Sequence, residues 1–155
     1  MKLLSLMRFL IFPVMNIFAY SSQAEDLKCK AQVIANTRMQ YSTNVITIPM
    51  QCKSFKITLK YDGKLQKNIM GHNLVISQAE DMDVIVKQAI TAGIKGEYIP
   101  TDRSQVIAAT RLLSGGEEDT ITIDTKVFKA QKNYTFYCTF PGHSGLMKGK
   151  IQLMQ

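Results

Sequence analysis

Tryptophan is absent from this 155-residue sequence, histidine occurs only twice and cysteine only three times. Each scarcity excludes something. Two histidines exclude enzymes that need a second metal held by further histidines. Three cysteines cannot make a dense disulfide framework, and an odd count leaves one thiol over. A spanning helix is disfavoured as well: the apolar run Phe9–Tyr20 is interrupted by Pro13 and Asn16 and falls well short of the ~20 residues needed. After that run there is no low-complexity tract, repeat or linker.

What is present begins with a leader. Residues 1–24 have the layout of a secretory signal peptide: Lys2 and Arg8, then the apolar run, then Ser22-Gln23-Ala24 where a peptidase would cut. A lipoprotein cut before Cys29 is disfavoured by the charged Asp26-Leu27-Lys28. Residues 25–155 are then expected to form a single domain in the periplasm. The full chain carries 19 Lys+Arg and 12 Asp+Glu; taking away Lys2 and Arg8 leaves 17 against 12, a net +5. In an exported protein such a balance points to steering toward an acidic partner surface rather than to nucleic acid. Export also permits a disulfide. Cys29 and Cys52 both lie beside strand-like segments near the mature N-terminus, which makes Cys138 the odd thiol.

Most of the domain reads as short strands rich in Val, Ile, Thr, Tyr and Phe: "AQVIAN", "VITIPM", "FKITLKY", "NLVIS", "QVIAAT", "DTITIDT", "NYTFYCTF" and "KGKIQLM". Turn signals such as "YDGK" and "FPGHSG" separate them. About eight such strands predict an all-β antiparallel Greek-key sandwich or barrel. One segment differs. Met82, Ile85, Val86, Ala89 and Ile90 follow helical spacing, so one inserted helix is expected near residues 79–92. Ser77 and Glu80 suggest a capping box, and Gly93 a C-terminal cap.

The chemistry gathers in "YCTFPGHSGLMKG", which places Cys138, His143 and Met147 within ten positions. Thiolate, imidazole and thioether form a soft donor set that favours copper. The only other histidine, His72 in "NIMGHNLVIS", could approach from a neighbouring strand. Two histidines and a cysteine in a plane, with a weak axial methionine, make an electron-transfer copper site. Other readings stay open on the residues alone. Zinc binds Cys and His but rarely methionine. A cysteine hydrolase would use Cys138 with a histidine base, yet no orienting carboxylate is evident. A plain turn between two strands would leave all three residues incidental.

The two motifs together resemble those of the azurins, type 1 blue copper proteins of the cupredoxin family. The resemblance runs from about Cys29 to Leu153 and takes in the paired cysteines, "STNVITI" and "LLSGGEEDTITID". It implies one copper ion per chain, with His72, Cys138 and His143 as strong ligands and Met147 as the weak axial one. By the same resemblance, the Gly71 carbonyl lies on the opposite axial side. Asn73 would steady the ligand loop, and the amides beside Asn73 and of Phe140 would support the Cys138 sulfur. Cys29 and Cys52 would be the disulfide. Met39, Leu65, Met70, Phe140, Pro141, Gly142, Gly145 and Leu146 would form an apolar electron-transfer patch around an exposed edge of His143.

The implied function is a periplasmic carrier of one electron, cycling Cu(II) and Cu(I), and not an enzyme. Implied partners are periplasmic redox proteins (c-type cytochromes, nitrite reductase or peroxidase). The carrier would be a monomer, with no nucleic-acid partner and no stable membrane insertion of the mature chain. The alternative is copper storage, or an accessory role to a copper enzyme. Two departures from the azurins stand out. The buried tryptophan is missing, so Leu74 and other aliphatics must fill its place. Tyr61 and Ala109 stand where many relatives carry further histidines.

Overall fold

The computed structural model describes residues 29–155, so the expected leader lies outside the described residues. The described residues form nine strands: β1 (Lys30–Asn36), β2 (Gln40–Tyr41), β3 (Val45–Pro49), β4 (Ser54–Asp62), β5 (Val75–Gln78), β6 (Val106–Ala109), β7 (Glu118–Asp124), β8 (Tyr134–Tyr137) and β9 (Lys148–Met154). Two helices interrupt them, α1 (Lys67–Met70) and α2 (Met82–Ala92). A sheet ordered β2-β1-β4-β7 packs on one ordered β3-β9-β8-β5-β6. This is the all-β sandwich read from the sequence, open rather than closed into a barrel. The eight strand-like segments each form a strand, and the ninth, β2, is only two residues long.

Alternation explains the packing. In β4 Phe55, Ile57, Leu59 and Tyr61 point inward, while Lys56 and Lys60 stay exposed. In β7 Ile123 is buried and Thr120, Thr122 and Asp124 face water. The antiparallel expectation holds for most pairings but not for two: β1 runs parallel to β4, and β3 parallel to β9. Both parallel pairs bring in a strand from the N-terminal third, and the intervening segments cross from one sheet to the other.

β5 is covered on both faces, which is why it reads as a continuous apolar run. Ile76 belongs to the main core, with Leu74 just ahead of the strand, while Val75 joins Tyr137, Ile85 and flanking Met82 and Val86 in a smaller cluster beneath α2. Of the apolar stripe read for α2, Ile85 and Ala89 are buried, but Ile90 faces solvent. The capping box does not form. Ser77 instead turns inward, donating to the Gln78 carbonyl and meeting the Tyr137 hydroxyl at 3.0 Å, and α2 has no side-chain N-cap. Gly93 does end α2, at φ 62°, its N–H donating to the Ala89 and Ile90 carbonyls. Among the described residues no helix is long and apolar enough to cross a membrane.

Candidate metal centre

Strand period and one turn bring the site together. Along β8, Phe136 and Cys138 face the main core and Tyr137 faces α2, so the thiol following the strand is delivered inward. The next residues form a compact turn. His143 N–H donates to the Phe140 carbonyl at 3.0 Å, and Met147 N–H donates to the His143 carbonyl at 2.8 Å. The Cys138 N–H then donates to the Met147 carbonyl at 3.0 Å, closing the loop onto its own start. Gly142 sits at φ 80°, a conformation side chains resist, which explains a glycine after Pro141.

His72 arrives from the other direction. α1 stops at Gly71, where a Cβ would stand 2.6 Å from the Lys67 carbonyl and 2.9 Å from the Leu112 side chain; only glycine fits. His72 then forms a single antiparallel bridge with Leu113, by bonds of 3.3 and 2.8 Å. Its ring meets the Tyr61 ring edge-on at 4.5 Å and lies 5.0 Å from the His143 ring.

The donor atoms of His72, Cys138 and His143 all lie within 4.8 Å of one another, and all three residues are buried. Cys138 Sγ is 3.6 Å from His143 Nδ1. Neither ring nitrogen of His72 completes a hydrogen bond. The Asn36 carbonyl lies within reach of one of them; the other, a buried nitrogen with no partner, is costly unless something else takes its lone pair. Desolvation, followed by the neighbouring His143, lowers the His72 pKa to about 4, with the Asn36 backbone pulling weakly the other way. Desolvation also lowers that of His143. Both imidazoles are therefore held neutral, the form that binds metal. Burial pushes the Cys138 thiol up to about 11, against the Asn73 and Phe140 amides that favour the thiolate. A metal cation held by these residues would supply the missing charge and favour the thiolate. This donor set, soft sulfur with two neutral imidazoles, fits copper.

The surroundings hold the loop in place. Asn73 Oδ1 accepts from Thr139 N–H at 2.9 Å, and its Nδ2 donates to the Thr139 hydroxyl at 2.8 Å and to the Glu97 carbonyl at 3.0 Å. The Thr139 hydroxyl also reaches the Tyr98 carbonyl, and the Tyr98 ring packs edge-on against Phe140 at 5.3 Å. Met147 is fully buried. Of the residues read as a patch, Pro141, Gly142 and Gly145 are exposed, Leu146 is 67% and Leu65 38% exposed, and Met39, Met70 and Phe140 are half-buried. His143 itself retains only 3% exposure.

Sequence reasoning missed four neighbours. Ile69, 62% exposed, lies on α1 between Leu65 and Met70. Thr139 and Tyr98 tie the ligand loop to the segment after α2. Tyr41 donates to the Asn73 carbonyl from β2. The "TFPG" spelling hints at Thr139; a two-residue strand and a four-residue helix leave no periodic signal for Tyr41 and Ile69, and Tyr98 lies in an irregular segment after α2.

Comparison with known proteins agrees with this chemistry. Residues 27–154 match the family described as copper binding proteins, plastocyanin/azurin family. Azurin of Pseudomonas aeruginosa is 44% identical over 126 residues, covering 81% of this chain and 85% of that protein. Azurin of Bordetella pertussis is 38% identical over 136 residues, covering 88% and 91%. A solved structure of the azurin Az-iso2 from Methylomonas sp. strain J superposes with a TM-score of 0.79 at 29% identity, covering 82% of this chain and 98% of that one. With the buried Cys-His-His group and the Cys29–Cys52 disulfide in place, the chain belongs to the plastocyanin/azurin family of copper binding proteins, and it is a copper electron-transfer protein.

Proposed function

We propose that the chain carries single electrons in the periplasm, with His72, Cys138 and His143 as the residues that would hold copper strongly and Met147 and the Gly71 carbonyl as weaker donors. The observation that carries the ligand set is the buried triad, whose donor atoms lie within 4.8 Å of one another and which no side chain satisfies at the His72 ring. Copper, when bound, supplies a one-electron couple. The chain supplies the rest. Asn73 and Thr139 hold the ligand loop, Tyr61 packs against the His72 ring, and burial keeps water off the sulfur. Few atoms need move when charge changes, so reorganisation is small. Burial also argues against storage, which calls for exchangeable exposed donors.

Electrons would pass through His143 and the apolar surface formed by Leu65, Ile69, Met70, Pro141 and Leu146. A small uncharged patch suits brief docking with c-type cytochromes, nitrite reductase or peroxidase, at the small end of interface sizes. The test is the visible spectrum of copper-loaded protein, with electron exchange to a cytochrome c. An intense thiolate-to-copper band, with exchange slowed by Leu146→Glu at unchanged spectrum, is expected. A free, alkylatable Cys138 after Cu(II) addition would overturn the ligand set. Equal exchange in Leu146→Glu would overturn the docking face.

A further inference from the structure

Asn73 is gripped at nearly every polar atom. Its side chain is held by Thr139 and Glu97, as above. The peptide that follows it is held at both ends. Leu74 N–H donates to Thr110 Oγ1 at 2.9 Å, and the Asn73 carbonyl accepts from the Tyr41 hydroxyl at 2.5 Å. That leaves the Asn73 N–H facing the Cys138 sulfur.

Among these grips, Tyr41 alone comes from the four-stranded sheet. It belongs to β2, which pairs with β1 at only two positions. The Ser42 hydroxyl accepting from Ile34 N–H at 2.9 Å, and Ser42 N–H donating to the Ile34 carbonyl at 2.8 Å, fasten β2 from behind. The Tyr41 ring lies 5.6 Å from Phe136, two residues before Cys138. Its hydroxyl therefore crosses between the sheets, beneath the ligand loop.

We propose that Tyr41 is a positioning residue of the copper centre: by anchoring the Asn73 carbonyl to the first sheet, its hydroxyl fixes the Asn73 amide against the Cys138 sulfur. The inference rests on the ligand set proposed above. The Tyr41 hydroxyl also lies within hydrogen-bonding reach of the Cys138 sulfur, and the phenol is raised well above its usual value by burial first and by that sulfur second. A phenol has one proton to give, and the short bond assigns it to the Asn73 carbonyl. Its effect on the sulfur is thus mainly exerted through Asn73. An amide facing a thiolate weakens the sulfur as a donor and so favours the reduced site; such outer contacts tune metal centres. Loosening that amide favours the oxidised one.

The experiment uses the copper-loaded protein and the metal-free protein, each as parent, Tyr41→Phe and Tyr134→Phe. Tyr134 serves as control because its hydroxyl accepts from Lys129 N–H at 2.8 Å, in the turn leading into β8 rather than in the ligand loop. At a solution potential fixed to the parent's midpoint, Tyr41→Phe lowers the Cu(I):Cu(II) ratio by about fivefold, the worth of one ordinary hydrogen bond, and shifts the visible band. In the metal-free protein the Asn73 amide exchanges hydrogen about fivefold faster. Tyr134→Phe costs similar thermal stability and moves neither signal. An unchanged ratio and band in Tyr41→Phe overturns the proposal, as does an equal shift in both variants. If Tyr41→Phe does not fold, Thr110→Val, which releases the other end of the same peptide, must shift the ratio in the same direction. If the parent shows no visible band, the ligand set fails first, and Asn73 exchange still decides whether Tyr41 is the clamp.

Discussion

The two ends of the four-stranded sheet are held by different means. At the end where β1 and β4 begin, Cys29 and Cys52 are joined covalently, and the Thr125 hydroxyl donates to the Cys52 carbonyl. At the opposite end, beyond Asn36 and Asp62, the third cysteine stays free and buried among His72, Asn73, Thr139 and His143. One end spends its sulfur on a bond that needs nothing further. The other keeps a thiol and two neutral imidazoles in an apolar setting that is uncomfortable without a cation. The contrast separates what only stabilises from what also tunes the site: changes at the disulfide end should alter melting and leave the spectrum alone, and changes at the ligand end should alter the spectrum.

The sharpest break is at the sulfurs themselves. Cys138→Ser removes the thiolate, and the visible charge-transfer band of the copper-loaded protein should vanish completely. Replacing Cys29 and Cys52 by serine together should leave band position and intensity as in the parent. The same double replacement opens a loop of 23 residues and should cost roughly 3 kcal/mol on the chain-entropy account, read from denaturant midpoints. A blue shift or bleaching in the double variant would show that the two ends are mechanically coupled.

How far this contrast was legible in the sequence depends on the residues concerned. Strands of four to nine residues with period-two alternation are visible because alternate side chains meet different media. Cys138, His143 and Met147 are visible because one short loop carries all three. His72 is visible only by being the one histidine left. β2 and α1 are too short to show a period, so Tyr41 and Ile69 pass unnoticed. Ser77 and Glu80 mimic a capping box because local spelling cannot reveal that a buried Tyr137 hydroxyl competes for the serine. The parallel pairings were hidden for a related reason: alternation fixes a strand's faces but not its neighbours.

The metal-free protein offers a smaller effect, again confined to the ligand end. His72 is held at about 4 when folded, against about 6.5 in an unfolded chain. Above the higher value both states are neutral and pH has no influence through this group. As pH falls through that value the unfolded chain takes up a proton that the folded one refuses. Stability should therefore fall from about pH 6.5 to about pH 4 and then level, by an amount of order 3 kcal/mol. Urea midpoints across this range measure it. Copper occupying the ring nitrogen should flatten the profile, whereas reducing the disulfide should lower it evenly without changing its shape.

The smallest expected effect is a near absence of slope. Tyr61 stands edge-on to His72 at 4.5 Å, and Ala109 lies in β6 opposite Val75; neither offers an imidazole. Desolvation raises the Tyr61 phenol above its usual value, so it remains protonated across pH 5–8. With both histidines proposed as copper ligands, no other imidazole remains to change charge beside them in that range. The reduction potential should then vary little between pH 5 and 8, and Tyr61→His should introduce a slope by placing a titrating ring against His72. A steep slope in the parent would mean that a ligand itself, His143 being the less deeply buried, takes up a proton on reduction.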